Sequence, residues 1–282
     1  MGSLTDFAEN ELLDHLFNAA YSPAATIYLV LCTADPTDAA TGASCSEVAN
    51  ANGYARTAIS FGTASARRIT QDALVTFPSA TGSWGTVTHW CLADSATHGA
   101  GNILAYGAFS ASFSPVAGNT PKVASGQAYV EFSATSGGAG LTTYACNALL
   151  GLMFDNVAFT SPAGNTFLAL LTATSSDAAT TMAGQTEATG TGYARLEVNP
   201  YGGSAPAWTL ASGGALSNGA DATFATPGSG GWGTVVAMAI VDAASGTSAN
   251  VLAYDNTNIT DQAISESDTV LFASGALDVT MS

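Results

Sequence analysis

Positive charge is the scarcest resource in this chain. Five Lys and Arg stand against 21 Asp and Glu, for a formal charge of −16, and the only lysine is Lys122. Phosphate binding needs clustered Lys and Arg, so the composition argues against a nucleic acid partner. It argues equally against an anionic membrane surface. The one basic pair, Arg67-Arg68, is expected to form a local salt bridge rather than a docking patch. Charge of either sign is sparse, at 9% of residues against roughly 25% in ordinary soluble proteins. Ser, Thr, Asn, Gly and backbone must therefore supply the polar surface. Such a surface packs readily against neighbours, because few charges must be desolvated.

Long apolar runs are missing too. The stretch around Ile27 to Leu31 is far too short to span a bilayer. The start, Met1-Gly2-Ser3-Leu4-Thr5-Asp6, has no basic region followed by an apolar run, which predicts a chain not exported by the Sec route. Of the four cysteines none forms a CxxC pair or a Cys/His set of zinc spacing. No metal and no cofactor are expected. Cys32, Cys91 and Cys146 lie in apolar stretches, where free thiols behave as small hydrophobes. Cys45 lies in a loop within reach of Cys32, and whether those two are bonded stays open.

Catalytic constellations are equally thin. The three histidines, His15, His89 and His98, all fall in the first half, and no GxSxG elbow accompanies them. They are read as satisfied or solvated, and no catalytic residue is assigned. The acidic loop Asp35 to Asp38 does not reach the calcium-loop pattern. Gly228-Ser229-Gly230-Gly231-Trp232-Gly233 fits GxGxxG, but Thr234 to Val241 follows with strand-like residues rather than a helix. It is read as a turn entering a strand. Asn258-Ile259-Thr260 is a sequon that means nothing without secretion.

What the chain does have is itself, twice. Asn10 to Phe17 matches Asn147 to Phe154, and Ser22-Pro23-Ala24 returns as Ser161-Pro162-Ala163. Gly53-Tyr54-Ala55-Arg56 returns as Gly192-Tyr193-Ala194-Arg195. Trp84-Gly85-Thr86-Val87 and Leu104-Ala105-Tyr106 return as Trp232-Gly233-Thr234-Val235 and Leu252-Ala253-Tyr254. Five landmarks in one order, with an offset that only grows, mean a tandem duplication. The reading is two modules, residues 1–135 and 136–282, joined at the linker-like Ser136-Gly137-Gly138-Ala139-Gly140.

Each copy opens with a helical stripe. Leu4, Phe7, Leu12, Leu13, Leu16 and Phe17 fall at helical spacing, with Ser3 or Thr5 as cap and Asp6 and Glu9 at the positive end. The second stripe loses polarity, since Asp14 and His15 become Gly151 and Leu152. That predicts a helix buried on more sides, against a partner or against the first copy. Short apolar runs bounded by turn residues follow: Thr26 to Leu31, Tyr54 to Phe61, Leu74 to Phe77, Val87 to Leu92, Ile103 to Phe109 and Tyr129 to Phe132, with counterparts in copy two. The fold class is mainly β: two tandem β-sandwich-like modules, each preceded by an N-terminal α-helix. The anchors of the repeat are Tyr54, Arg56, Trp84 and Asp94, with Tyr193, Arg195, Trp232 and Asp242. Arg56 and Arg195 are expected to hold a carboxylate bidentately or to bind strand-end carbonyls, with Asp94 and Asp242 as candidate partners.

The order Leu-Leu-Asp-His-Leu, Ser-Pro-Ala, Leu-Cys-Thr-Ala-Asp-Pro-Thr-Asp-Ala, Gly-Tyr-Ala-Arg, Thr-Phe-Pro-Ser-Ala-Thr-Gly-Ser-Trp-Gly-Thr-Val-Thr-His-Trp and Asn-Ile-Leu-Ala-Tyr-Gly-Ala resembles a module of tailed-phage virion proteins of the tail-fibre or minor structural type. Residues 4–133 resemble it closely. Copy two keeps Gly-Tyr-Ala-Arg and Trp-Gly-Thr-Val and departs elsewhere. The resemblance implies a non-enzymatic virion component, assembled in the host cytoplasm, that associates with itself and with other virion proteins. Capsid decoration and a neck or tail adaptor are the expected roles. The alternative is a receptor- or glycan-binding tail-fibre module, with Trp84, Trp90, Trp208 and Trp232 as platforms for a host surface glycan.

Overall fold

The computed structural model describes residues 2–133, 138–159, 165–257 and 259–281. The first copy runs β1 (Gly2–Leu4), α1 (Asp6–Phe17), β2 (Ile27–Cys32), β3 (Thr57–Ile59), β4 (Arg68–Thr70), β5 (Val75–Thr76), β6 (Val87–Ala93), β7 (Ile103–Phe113), β8 (Lys122–Val123) and β9 (Tyr129–Glu131). The second runs β10 (Ala139–Leu141), α2 (Thr143–Asp155), β11 (Thr166–Leu171), β12 (Leu196–Val198), β13 (Ala215–Ser217), β14 (Ala222–Thr223), β15 (Gly233–Val235), β16 (Ala237–Val241), β17 (Val251–Asp255), β18 (Gln262–Ile264), β19 (Leu271–Phe272) and β20 (Asp278–Thr280). The protein is mainly β, in two tandem modules that each carry a helix near the start.

Both helices form for the same local reason. Thr5 Oγ1 accepts from the Ala8 amide and donates to the Ile103 carbonyl of β7, at 3.4 and 2.5 Å. Thr142 Oγ1 accepts from the Ala145 amide and donates to the Val251 carbonyl of β17, at 3.2 and 2.6 Å. One hydroxyl thus caps the helix and ties its start to the sheet. Asn156 ends α2 in the left-handed conformation, with φ of 52°. A strand precedes each cap, which the helical spacing did not foretell. β1 pairs with β7 and β10 with β17. Ala139 and Gly140 therefore belong to a ladder and not to a linker. Ser136 and Gly137, Ser161-Pro162-Ala163 and Asn258 lie outside the described residues.

In copy one the sheet order is β3-β2-β6-β7-β1-β9-β4, and in copy two it is β10-β17-β16-β11-β12. The shared part, β1-β7-β6-β2-β3, recurs as β10-β17-β16-β11-β12. Two-residue loops close the hairpin Ser65 to Arg68 and its twin Ser212 to Ala215. Loops of the type I′ form need positive φ at both central residues. Copy two supplies Gly213 and Gly214, at 58° and 68°, while copy one places Ala66 and Arg67 there, at 50° and 67°. Ala66→Gly, which restores the residue of the twin, is expected to stabilise the protein by about 0.5 kcal/mol. An unchanged urea midpoint would contradict a strained turn.

The two copies interlock. α1 packs on β13 of copy two, and α2 packs on β4 of copy one. Asn10 Oδ1 of α1 accepts from the Gly214 amide at 3.0 Å, and its twin Asn147 Oδ1 of α2 accepts from the Arg67 amide at 2.8 Å. Phe17 meets Trp208 with ring centres 4.9 Å apart, and its twin Phe154 meets Phe61 at 5.5 Å. Trp208 and Phe61 are themselves equivalent, each next to a bridge into the following strand segment, Trp208 to Asn218 and Phe61 to Gln71. Each patch on one copy faces the same patch on the other, the reciprocity of a two-fold dimer inside one chain. One apolar core runs from Leu4 to Met281 through both copies. α2 is buried as expected, Gly151 and Leu152 included, and one of its faces packs on β4 of copy one.

Arg67 ties this seam. Its guanidinium donates to the Leu141 and Ser133 carbonyls at 3.0 and 2.8 Å. The pairing expected of Arg67-Arg68 holds only for Arg68, which lies 3.9 Å from Glu131 and over the Tyr129 ring. Arg67 is drawn inward because the carbonyls of two chain segments converge there. Among the described residues no helix is long and apolar enough to cross a membrane.

Candidate functional site

The residues kept in both copies build one clamp twice. In copy one Arg56 Nε and Nη2 grip the Glu47 carboxylate at 2.9 and 2.7 Å, and Nη1 donates to the Ser95 and Ala100 carbonyls at 2.9 and 2.8 Å. Tyr54 Oη donates to Glu47 Oε1 and accepts from the Leu31 amide of β2, both at 3.1 Å. In copy two Arg195 grips Glu187 at 2.9 and 2.8 Å and donates to the Ala243 and Gly246 carbonyls at 2.8 and 2.9 Å. Tyr193 Oη donates to Glu187 at 2.9 Å and accepts from the Leu170 amide of β11 at 3.1 Å. Trp84 and Trp232 stand edge-on to Tyr54 and Tyr193, at 5.2 and 5.3 Å. Their indoles donate to the Asn52 and Thr191 carbonyls. Each clamp pins two loops and a strand edge to one carboxylate. This also shortens the strand expected from Tyr54 to Phe61, because Tyr54 and Arg56 turn to Glu47 and leave only Thr57–Ile59 in the ladder.

The arginine partners are thus Glu47 and Glu187, not Asp94 and Asp242. Asp94 is taken by Asn102, whose amide and side chain both donate to it at 2.8 Å. Asp242 is taken by Asn250 in the same way, at 2.7 and 2.5 Å. These clasps close the β6–β7 and β16–β17 connections. The aspartates lie next to the carbonyls that the arginines bind, so their recurrence was a true signal of the loop and a false one of the pairing. The glutamates recur as well, but as Ser46-Glu47-Val48 against Thr186-Glu187-Ala188, with nothing around them to draw the eye.

Electrostatics separate the copies. The Arg56 and Glu47 side chains are 0% and 3% exposed, while Glu187 is 25% exposed. The His98-Gly99 loop covers Glu47: the Gly99 amide donates to it at 3.1 Å, and His98 Nε2, hydrogen-bonded to the Val48 carbonyl, lies 3.7 Å from it. Burial pulls the Arg56 guanidinium down, and Glu47 more than restores it. Burial and the neighbouring carboxylate push the Tyr54 and Tyr193 hydroxyls well up.

The seam holds two titrating groups of opposite sense. Glu9 of α1 lies against Gly214 of copy two. Burial, then Asp38 and Asp6, push its carboxyl up to about 7. Its favourable share of stability is complete below its ordinary value of 4.5 and is lost as pH rises through about 7. His15 Nδ1 accepts from the Tyr21 amide at 3.0 Å, which leaves Nε2 as the donor to the Phe159 carbonyl at 3.2 Å. Burial lowers its pKa. Its share is complete above 6.5 and is lost as pH falls through the lowered value. Glu9→Gln is expected to remove the loss of stability between about pH 5 and pH 8 while leaving the acid limb intact. Urea midpoints across that range would show it, and an unchanged slope would contradict it.

The other sequence candidates are placed as follows. His89 Nδ1 contacts Thr88 Oγ1 at 2.8 Å, and His98 contacts the Val48 carbonyl at 2.9 Å. The Gly228 to Gly233 run turns into strand β15, as read from sequence. Trp84, Trp90, Trp208 and Trp232 are 1–4% exposed, so none is a glycan platform. They are used as core, Trp84 and Trp232 against the tyrosines of their own clamps and Trp208 against Phe17 of the other copy. Cys32 and Cys45 are brought together without a bond, since all four cysteines are free and buried. Cys91 joins them, an encounter that no sequence spacing had signalled.

A search of curated proteins found no match. The family model described as Podophage GP4 fiber I protein gp80 matches residues 3–131 and, a second time, residues 140–280. The two matches coincide with the two interlocked copies, and the chain belongs to this podophage fibre family as a tail-fibre-like structural protein of the virion.

Proposed function

We propose that this chain is a non-enzymatic building block of the virion exterior, a compact adaptor at the neck or tail to which fibre components attach. The observation that carries the reading is the double family match on a body whose two repeated arginines are turned inward onto glutamates. Arg56, Arg67 and Arg195 are buried in structural roles, which leaves Arg68 and Lys122 as the exposed cations. A phosphate surface finds too little to hold on to, so neither nucleic acid nor membrane is a partner in this reading. The partners are other virion proteins and further copies of the chain, met during assembly in the host cytoplasm across low-charge surfaces. Two copies locked as a pseudo-dimer present matching faces to a symmetric neighbour. Immunogold labelling of purified particles tests the role. Label at the neck or tail supports the adaptor. Label spread over the head replaces it with capsid decoration, and unlabelled particles would refute both.

The word fibre in the family description favours a second reading, a receptor- or glycan-binding module. With the tryptophans buried, Tyr201, 60% exposed, is the aromatic available to a sugar. Glycan-array binding that Tyr201→Ala abolishes would establish that reading. A silent array would remove it.

A further inference from the structure

Copy one contains a buried nest that copy two does not repeat. Cys32 ends β2, Cys91 lies in β6, and Cys45 comes from the loop between β2 and β3. Their three sulfurs lie within 4.8 Å of one another, and those of Cys32 and Cys91 are 3.4 Å apart. Val30, Ala40, Ala93 and Ile103 wall the nest. In copy two the corresponding cluster contains Leu171, Met182 and Ala239. Leu171 and Cys32 are equivalent by their bridges to Glu187 and Glu47. Ala239 and Cys91 are equivalent by the spacing of the Trp84 and Trp232 landmarks. The copy-two core is built without cysteine, yet three of the four cysteines in the chain meet at this one point.

We propose that Cys32, Cys45 and Cys91 form a three-coordinate thiolate site for a soft monovalent cation, Cu(I). Thiolates select soft metals, and a trigonal centre with arms of about 2.3 Å needs sulfurs about 4 Å apart, close to the spacing of the nest. Structural zinc takes four ligands. Among the described residues the group contains three, and its burial leaves no open position for water. Each thiol that binds releases its proton to solvent, and the copper stays Cu(I) throughout. Because the sulfurs are buried, the metal enters as the chain folds or opens.

The test uses the full reduced chain without oxygen. Cu(I) is supplied as its acetonitrile complex, against bathocuproine disulfonate as a coloured competitor, to native protein and to protein refolded with the metal. One Cu(I) per chain is expected, with a thiolate-to-copper absorption band and a raised unfolding midpoint. Cys91→Ala, which takes the residue of the twin and keeps the nest apolar, is expected to lose the band and at least ten-fold in affinity while still folding. Cys146→Ala is expected to keep both. Equal copper retention by Cys91→Ala would overturn the site. So would failure of the refolded chain to hold copper against the competitor, or a disulfide among the three cysteines in protein prepared without reductant.

Discussion

Arg56→Ala is expected to destabilise the protein by about 3–5 kcal/mol, the range for removing one partner of a buried ion pair. The Glu47 carboxylate, 3% exposed, would keep only the Tyr54 hydroxyl, the Gly99 amide and the distant His98 ring. The Ser95 and Ala100 carbonyls would lose their donor as well. Arg195→Ala removes the same contacts from copy two, but Glu187 is 25% exposed and water can take over part of the role. Its cost is expected at about 1–3 kcal/mol. Because the partners share one network, Arg56→Ala combined with Glu47→Gln should cost less than the sum of the two singles. Urea denaturation of the four proteins and the wild type decides the matter. Equal losses at Arg56 and Arg195 would mean that the difference in carboxylate burial carries no weight.

Phe17→Ala is the second large effect, at about 3–5 kcal/mol. Phe17 is fully buried against Trp208 of the other copy. Its removal opens a cavity at the seam rather than inside one module. The lost stability should therefore fall on both copies together and leave one cooperative transition at a lower midpoint. Phe154→Ala, on the other side of the pseudo-two-fold against Phe61, should behave alike. If instead calorimetry of Phe17→Ala showed one transition moved and a second unmoved, the copies would be folding independently.

The sequence exposed the anchors and hid their partners, for reasons that lie in the residues. Thr5 and its acidic first turn were readable because a helix start has a local signature. Tyr54, Arg56 and Trp84 were readable because they recur as short words with their neighbours. Glu47 and Glu187 recur alone, so only the geometry assigns them to the arginines. The strands β1 and β10 are three residues each, too short to show an alternation. The apolar stripes of α1 and α2 announced burial but not what covers them. A helix face that meets its own module and one that meets the twin read identically. The cysteine nest was invisible because its members come from separate strands and a loop.

The central claim is that the two copies are one interlocked body, and cutting the chain between them tests it most directly. A protease site inserted between Ala134 and Gly137, cleaved to completion in the folded protein, removes the covalent link alone. The account predicts that the two fragments co-elute from a sizing column at the position of the uncut chain and separate only in denaturant. Fragments that part under native conditions would contradict it.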